Sequence, residues 1–179
     1  MKKLIKRLET FDAHKKCLNA IVETPKGSRV KYAYDPESGL FQLKRALPEG
    51  MMFPFNFGFI PSTLGADGDP LDILILNEEP LNTGCLLKAR LIGVIEARQT
   101  DQGNRTRNDR LIGLAIGKES PTAMDSVDLD KKTRAEIEHF FVSYNKLDGK
   151  KFKVLGKGGP KQALQLVHKG MKAFQKESG

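Results

Sequence analysis

Three apolar, β-branched runs in the middle of the chain restrict its fold more than any other feature. They are LDILIL (71–76), CLLKARLIGVI (85–95) and RLIGLAI (110–116), and each is bounded by turn residues. Runs of this length and composition are typical of buried strands. The polar residues 96–109, between the last two runs, predict a protruding hairpin or loop. We therefore expect a mainly β structure in this part of the chain.

The N-terminal part carries weaker signals for one helix and two further strands. Apolar residues spaced four and three apart predict a short amphipathic helix over residues 1–16. Residues 18–22 and 29–34 suit strands, and the turn PKGS (25–28) would join them in a hairpin. The sequence DPESG (35–39) would form the next turn.

The C-terminal third changes to helical spacing and predicts two helices within about residues 128–175. The apolar positions are Ile137, Phe140, Phe141 and Tyr144, then Leu164, Val167, Met171 and Phe174. Pro160 is placed to open the second helix. Since no repeat or linker divides the chain, we expect one α+β, mainly β domain over residues 1–179. Strands from about 18 to 118 would form a β-barrel or a strongly curved sheet, with the helices packed outside it.

Three carboxylates lie within six residues directly before the first apolar run: Asp67, Asp69 and Asp72 in DGDPLD. They repel one another, and Asp72 begins an apolar strand, where an unpaired charge is costly. Bound cations would stabilise such a cluster, and hard oxygen ligands select Mg²⁺, Mn²⁺ or Ca²⁺. Gly68 would let the backbone turn sharply and Pro70 would stiffen the turn. The alternative is an Asp-rich surface turn without a ligand.

Two other sites that use such aspartates fit the spacing poorly. An EF-hand loop that starts at Asp67 would place Glu78 twelfth, but it requires a sixth-position glycine where Asp72 stands. It would also need a loop where the apolar strand is expected. A phosphatase with an aspartyl nucleophile would carry its DxD pair after a buried strand, whereas the pair here comes before one.

The chain has a formal net charge of +8, from 30 Lys+Arg against 22 Asp+Glu, which favours anionic partners. Basic residues on both sides of the acidic motif could bind the oxygens of a phosphate: Arg29, Lys31, Lys44, Arg45, Arg105, Arg107, Arg110, Lys146, Lys150 and Lys151. The phenylalanines of FPFNFGF (53–59) recur with a period of two, which favours one core-facing side of a strand. A stacking platform for nucleic-acid bases is the alternative, but it gives no reason for three carboxylates.

The cysteines and the apolar runs bear on the location of the protein. Cys17 and Cys85 belong to no CxxC or Cys/His cluster, so we expect neither a zinc site nor a disulfide framework. The N-terminus has no apolar run of signal-peptide length. No segment approaches the roughly 20 apolar residues of a membrane span. A cytoplasmic location without a membrane partner is therefore expected.

The acidic motif and its surroundings resemble the family I soluble inorganic pyrophosphatases, whose signature is D-x-D-P-x-D followed by an apolar strand. Other matching segments occur in the family's order over roughly residues 18–155. They are Glu23-Thr24-Pro25, Lys31-Tyr32, DPESG (35–39), Arg45, FPFNFGFIPSTL (53–64) and HFFVSYNKLDGK (139–150). The resemblance implies a small closed, OB-like β-barrel with helices packed outside. It also implies hydrolysis of pyrophosphate to two phosphates with several Mg²⁺ ions, Mn²⁺ being an alternative.

The resemblance further implies roles for individual residues. The metal ligands would be Asp67, Asp69, Asp72, Asp101 and Asp109, with Glu23 as an outer ligand or a neighbour of one. Asp69 would also help to deprotonate the attacking water. The other catalytic residues would be Lys31, Arg45 and Tyr144. These three would bind the phosphates together with Lys146 and Arg110.

Several positions depart from the family's usual residues. They are Ala33 in place of a glutamate, Phe53 and Phe57 in place of tyrosines, Asn145 in place of a lysine, Asn108 in place of an aspartate and Arg110 in place of a lysine. The later metal-binding loop is also longer here. Asp101 is the best match to its first aspartate, and Asp109 is the carboxylate adjacent to Asn108. The number of metals and their outer ligands are therefore open.

Two alternative functions stay open at this point. One is hydrolysis of another phosphoanhydride, such as a nucleotide or polyphosphate. The other is a weakly active paralogue that binds a polyanion or nucleic acid, although nucleic acid is the less expected partner. Bacterial members of the family often form hexamers, so a homo-oligomer is expected.

Overall fold

Nine strands and two helices make up the part of the chain that the computed structural model describes, residues 8–14, 17–117 and 130–178. The strands are β1 (Leu18–Thr24), β2 (Val30–Asp35), β3 (Leu40–Ala46), β4 (Asn56–Phe59), β5 (Asp72–Leu76), β6 (Leu86–Asp101), β7 (Asn104–Arg107), β8 (Arg110–Ile116) and β9 (Lys151–Gly158). The helices are α1 (Lys131–Lys146) and α2 (Pro160–Ser178).

Five of the strands form a ring of hydrogen bonds. β1 pairs with β4, β4 with β5, β5 with β8, β8 with β6, and β6 again with β1. The β5–β8 pair is parallel and the others are antiparallel. β7 and β9 extend this sheet along the C-terminal half of the 16-residue β6. The expected mainly β fold is thus confirmed, as a ring of strands with two helices.

Alternate residues of the same strands supply two apolar clusters, one for each helix. Leu74 of β5 belongs to the cluster that contains Ile137 and Phe141 of α1. Its neighbour Ile73 belongs to the cluster that contains Val167 of α2. Successive side chains of a strand point to opposite faces, so one apolar run such as LDILIL serves both clusters. Each helix therefore covers one face of the sheet.

The predicted hairpin between residues 18–22 and 29–34 is wrong. β2 pairs with β3, so DPESG (35–39) is the turn of the actual hairpin. Both edges of β1 are already paired, with β4 and β6, because β1 closes the ring. Thr24 instead links β1 to β2, since its hydroxyl donates to the carbonyl of Tyr32 at 2.9 Å and accepts from the N–H of Tyr32 at 3.1 Å.

Two other expectations about elements fail in the described residues. The helix expected over residues 1–16 is wrong for residues 8–14, where Phe11 instead forms a bridge with Leu18. The other residues of that expected helix, 1–7 and 15–16, lie outside the described residues. β9 lies between the two C-terminal helices and was not predicted. Its sequence KFKVLGKG has few strand-favouring residues, and its pairing with β6 holds it in the sheet.

Most other expectations about the polar and aromatic segments are confirmed. Residues 96–109 form the hairpin of β6 and β7, whose turn residues Gln102 and Gly103 both have positive φ. Phe53, Phe57 and Phe59 are buried and Phe55 is half-buried, as expected of core residues rather than a stacking platform. Phe53 and Phe55 precede β4, however, so the expectation that all four share one side of a strand is wrong. No helix in the described ranges has the length and apolar character needed to cross a membrane.

Candidate active site

A cavity of about 1680 Å³ lies between the β2–β3 hairpin, the acidic turn, the β6–β7 hairpin and the C-terminal end of α1. The acidic turn is the segment 60–72 that leads into β5. Most of the site residues expected from the sequence line this cavity: Glu23, Lys31, Arg45, Asp67, Asp69, Asp72, Asp101, Arg110 and Tyr144. Asp109 and Lys146 are not among the lining residues.

Backbone hydrogen bonds close the acidic turn on itself. The N–H of Ile60 donates to the carbonyl of Leu71 at 3.0 Å, and the N–H of Gly65 donates to the carbonyl of Asp69 at 2.7 Å. Gly68 has φ of +88°, a conformation that favours glycine, so the expected sharp turn at this position is confirmed. This folding brings three carboxylates of one short segment to a single wall of the cavity.

Burial and mutual repulsion act on the carboxylates of the acidic turn. Burial raises the pKa of Asp67, and the nearby charge of Asp72 raises this pKa further. The pKa of Asp69 is raised by the same two causes, while Lys31 and Lys44 act in the opposite direction. Among the described residues, neither Asp67 nor Asp69 forms an ion pair. The wall therefore carries negative charge that the protein leaves largely uncompensated.

The donor chemistry of the acidic turn fits a hard divalent cation. Its three carboxylates supply oxygen ligands, and their repulsion would be relieved by a shared cation. Within the described ranges, no three His, Cys, Asp or Glu side chains converge tightly enough to hold an ion without rearrangement. The turn thus offers suitable donors that are not arranged in advance around an ion.

Lys31 lines the same cavity as the acidic turn, and two kinds of contact hold it there. Its ammonium forms an ion pair with Glu23 at 3.3 Å, in which both side chains are nearly buried. It also lies 3.9 Å from the ring centroid of Phe57, a cation–π contact. Burial lowers the pKa of Lys31 and raises that of Glu23, and the ion pair opposes both shifts. The backbone N–H of Tyr34 donates to the second oxygen of Glu23 at 2.7 Å.

Arg45 is the cross-strand partner of Lys31 in the β2–β3 hairpin, so the hairpin delivers both cations to the cavity. Its guanidinium carbon lies 4.3 Å from the ring centroid of Tyr144. It forms an ion pair with Asp148 and donates to the carbonyl of Tyr144 at 3.2 Å. Burial raises the pKa of the Tyr144 hydroxyl. These contacts join the hairpin to the end of α1.

Arg110 is another cation of the cavity, and its side chain is only 6% exposed. One terminal nitrogen donates to Asp72 and to Asn108. The guanidinium carbon lies 4.9 Å from the ring centroid of Phe141. Arg110 begins β8, next to β5 and its first residue Asp72 in the sheet, which explains how residues 38 positions apart meet.

Asp109 and Lys146 were expected in the site, but neither of them lines the cavity. The carboxylate of Asp109 accepts from the N–H of Ala97 at 2.9 Å and from Arg107 at 2.5 Å, so it ties the hairpin together. Asn108 and Arg110 line the cavity, and strand alternation directs the residue between them to the other side. Lys146 is exposed, because two helical residues beyond Tyr144 correspond to a rotation of about 200°.

Three cavity residues were not singled out from the sequence for the site. Asp148 pairs with Arg45, Lys150 pairs with Asp101 at 3.1 Å, and Gln99 accepts from the amide of Asn108 at 3.1 Å. Lys150 appeared only among the many basic candidates. The short LDG turn after α1 was the available signal for Asp148, since a turn at a helix end places its polar residues at the edge of the neighbouring site.

Comparison with known proteins identifies the family to which this chain is similar. The family model for inorganic pyrophosphatase matches residues 20–175. An inorganic pyrophosphatase of Helicobacter pylori is 38% identical over 176 residues, covering 96% of this chain and 98% of the relative. One of Thermus thermophilus is 36% identical over 167 residues, covering 91% and 93%.

Solved structures give the same answer at the level of the fold. The crystal structure of inorganic pyrophosphatase from Thermus thermophilus has a TM-score of 0.84 and 32% identity, covering 96% of this chain and 98% of that one. The Helicobacter pylori enzyme has a TM-score of 0.82 and 37% identity, covering 94% and 99%. Sequence and fold thus agree over nearly the whole length, and this chain belongs to the inorganic pyrophosphatase family.

Proposed function

We propose that this chain hydrolyses inorganic pyrophosphate to two phosphates. The observation that carries the proposal is a single cavity that is lined by both carboxylates and cations. Asp67, Asp69 and Asp72 line one side, while Lys31 and Arg45 reach the same cavity from the β2–β3 hairpin. A polyanion needs such cations for its oxygens, and the carboxylates provide for metal ions and for proton transfer. Membership of the inorganic pyrophosphatase family supports the same reaction.

The acidic turn is the part of the cavity that would hold divalent ions. Asp67, Asp69 and Asp72 would be the ligands, with Mg²⁺ as the preferred ion and Mn²⁺ as an alternative. When bound, such an ion neutralises negative charge on the substrate and lowers the pKa of a coordinated water. Glu23 lines the cavity beside Lys31, with which it forms an ion pair, and would act on the site through that lysine.

The chain's own residues would divide the remaining work. Asp69 would accept a proton from the attacking water, whose oxygen forms a bond to one phosphorus atom as the bridging P–O bond breaks. Asp69 lines the cavity and forms no ion pair among the described residues, so its carboxylate is available to accept this proton. Lys31 and Arg45 would bind the phosphate oxygens and stabilise the charge on the departing phosphate.

Tyr144 would position Arg45 and contribute a hydroxyl to the substrate. Its ring packs against the guanidinium of Arg45. The ring also packs on Phe53, with centroids 5.6 Å apart. Phe53 and Phe57 cannot donate hydrogen bonds as tyrosines would. The hydroxyl of Tyr144 is therefore expected to carry more of the binding.

Release of phosphate tests the proposed reaction directly. The full chain would be supplied with pyrophosphate, ATP or tripolyphosphate, each with Mg²⁺ or Mn²⁺. We expect phosphate release from pyrophosphate to exceed that from the other two. A preference for ATP or tripolyphosphate would instead identify a hydrolase of larger phosphoanhydrides. Salt-dependent binding of nucleic acid without any phosphate release would identify a polyanion-binding paralogue.

The location and assembly of the protein are further parts of the proposal. A cytoplasmic location is supported by Cys17 and Cys85, which belong to no CxxC or Cys/His cluster in the sequence. A homo-oligomer is supported by large apolar side chains at the surface, such as Leu40 and Leu43 of β3 and Leu86 of β6. Sedimentation of the purified chain at several concentrations would determine its oligomeric state.

A further inference from the structure

Arg110 occupies a position in the cavity that is shielded from solvent and surrounded by acceptors. The same terminal nitrogen contacts Asp72, Asn108 and the carbonyl of Asp109, the last at 3.2 Å. The rings of Phe57, Phe141 and Phe152 lie within 6 Å of the guanidinium carbon, at 5.9, 4.9 and 5.7 Å. These contacts fix a permanent positive charge beside the first residue of β5.

Two further carboxylates near β8, Asp101 inside the cavity and Asp109 outside it, also have cations of the protein as partners. Asp101 forms an ion pair with Lys150 at 3.1 Å. Asp109 forms one with Arg107 at 2.5 Å and accepts the N–H of Ala97. The charge on the β6–β8 side is therefore balanced within the chain, in contrast to that of Asp67 and Asp69.

Two neutral residues, Asn108 and Ala33, line the cavity at positions where the family usually has carboxylates. Asn108 accepts from Arg110 through its oxygen and donates to Gln99 at 3.1 Å through its nitrogen. Its amide thus forms hydrogen bonds at both ends, and it brings no negative charge to an ion. Ala33, on the β2–β3 hairpin, lines the cavity without any ligand atom in its side chain. The donor set of this side does not fit a divalent ion.

We propose that Arg110 and Lys150 supply from the protein itself the positive charge that a divalent ion would otherwise supply on the β6–β8 side of the cavity. Divalent ions are then taken up only at the acidic turn, where Asp72 keeps one oxygen that Arg110 does not use. This inference rests on the proposed function in one respect, namely that the positive charge serves to bind the substrate anion in the cavity.

Counting bound Mn²⁺ tests the inference without any turnover. The full chain would be titrated with Mn²⁺ in the absence of pyrophosphate, and free Mn²⁺ would be measured by electron paramagnetic resonance. The double variant Asn108→Asp, Lys150→Gln provides one new carboxylate and releases Asp101 from its partner. We expect this variant to bind about one Mn²⁺ per chain more than the wild type, because the β6–β8 side then has free oxygen ligands.

A matched control has the same change of charge outside the cavity. Asn77→Asp, Lys151→Gln adds one carboxylate and removes one ammonium, and neither residue lines the cavity. Its Mn²⁺ count is expected to equal that of the wild type. The inference is overturned if the cavity variant gains no ion over this control, or if the wild type already binds as many ions as the cavity variant.

A second variant measures the charge of Arg110 itself. Arg110→Gln should tighten Mn²⁺ binding at the acidic turn by about tenfold or more, because it removes a fixed positive charge in contact with Asp72. Arg105→Gln makes the same change at an exposed position outside the cavity and should leave the affinity unchanged. Equal affinities for both variants would overturn the inference.

The two proposals can fail separately. If the wild type releases no phosphate from pyrophosphate but the Mn²⁺ counts change as expected, the proposed function is wrong and the account of the cations stands. If pyrophosphate is hydrolysed but the Mn²⁺ counts do not change, the proposed function stands and the inference about Arg110 and Lys150 is wrong. Circular dichroism of each variant would establish that it folds before its ions are counted.

Discussion

The ion pair of Glu23 and Lys31 permits a quantitative prediction of stability. At 3.3 Å and an effective dielectric constant of about 20, two unit charges attract by about 5 kcal/mol. The side chains are only 11% and 14% exposed, so water cannot replace the lost partner. Removing one partner of a buried pair typically costs about 3–5 kcal/mol. The lowered pKa of Lys31 lets this lysine lose its proton and limits the cost.

We therefore expect Glu23→Gln to lower the free energy of unfolding by about 3 kcal/mol. Glutamine keeps an oxygen for the N–H of Tyr34, so the substitution removes the charge and retains the shape. Urea denaturation of the single variants Glu23→Gln and Lys31→Met and of the double variant gives the coupling energy. For this pair we expect a coupling energy of about 3 kcal/mol.

An exposed pair with the same geometry serves as the control. Arg29 and Glu49 are also 3.3 Å apart, but their side chains are 53% and 94% exposed. The cycle of Glu49→Gln with Arg29→Met should give a coupling energy of at most about 1 kcal/mol. A buried pair that couples no more strongly than this surface pair would refute the reasoning, because burial is the only difference on which it relies.

Four further outcomes are expected. Asp69→Asn should keep the fold and reduce pyrophosphate turnover at neutral pH by about 10²–10⁴-fold, and near-normal turnover would remove Asp69 as the base. Asp109→Ala should lower the free energy of unfolding by about 1–3 kcal/mol, because the N–H of Ala97 loses its acceptor. A changed Mn²⁺ count in this variant would contradict the structural role of Asp109. The pKa of Asp67 is raised in the folded chain, so its stabilising contribution is present below its unfolded pKa and lost as pH rises through the folded value. Asp67→Asn should therefore raise the melting temperature of the metal-free chain more near about pH 8 than near about pH 4, and equal shifts would oppose this. Gly68→Ala should cost about 1–2 kcal/mol in urea denaturation from its positive φ alone, since no atom lies within 4 Å of the added methyl group, and an unchanged midpoint would argue against that strain.

Much of the fold could be predicted because local pattern and tertiary environment agree. The runs 71–76 and 110–116 are strands, and Pro160 opens the last helix. β9 could not be predicted in the same way, since its lysines and glycines have little strand preference of their own. The pairing of β2 with β3 depended on ring closure, which occupies both edges of β1 and is a property of the whole sheet.

Some charged residues of the site could likewise be located from the sequence, whereas the placement of others depends on the fold. The acidic turn could be located from the sequence because all its carboxylates belong to one short segment. Side chains alternate between the two faces of a strand, so Asn108 should lie on the same side as Arg110 and Asp109 on the other. Asp109 was nevertheless expected in the site, because it is a carboxylate and Asn108 is not. Asp101 could be named from the sequence as a carboxylate, but its partner could not. Lys150 comes from a distant segment and meets Asp101 because β9 pairs with β6.

By itself, the sequence determined which residues could carry the chemistry: carboxylates before an apolar strand, with basic residues on either side. The tertiary structure decided which of the charges compensate one another. Asp72 meets Arg110 because β5 and β8 lie side by side in the sheet, and Glu23 meets Lys31 because the β2–β3 hairpin packs beside β1. Electrostatic energy depends on distance and burial, which are properties of the folded chain and not of spacing along it.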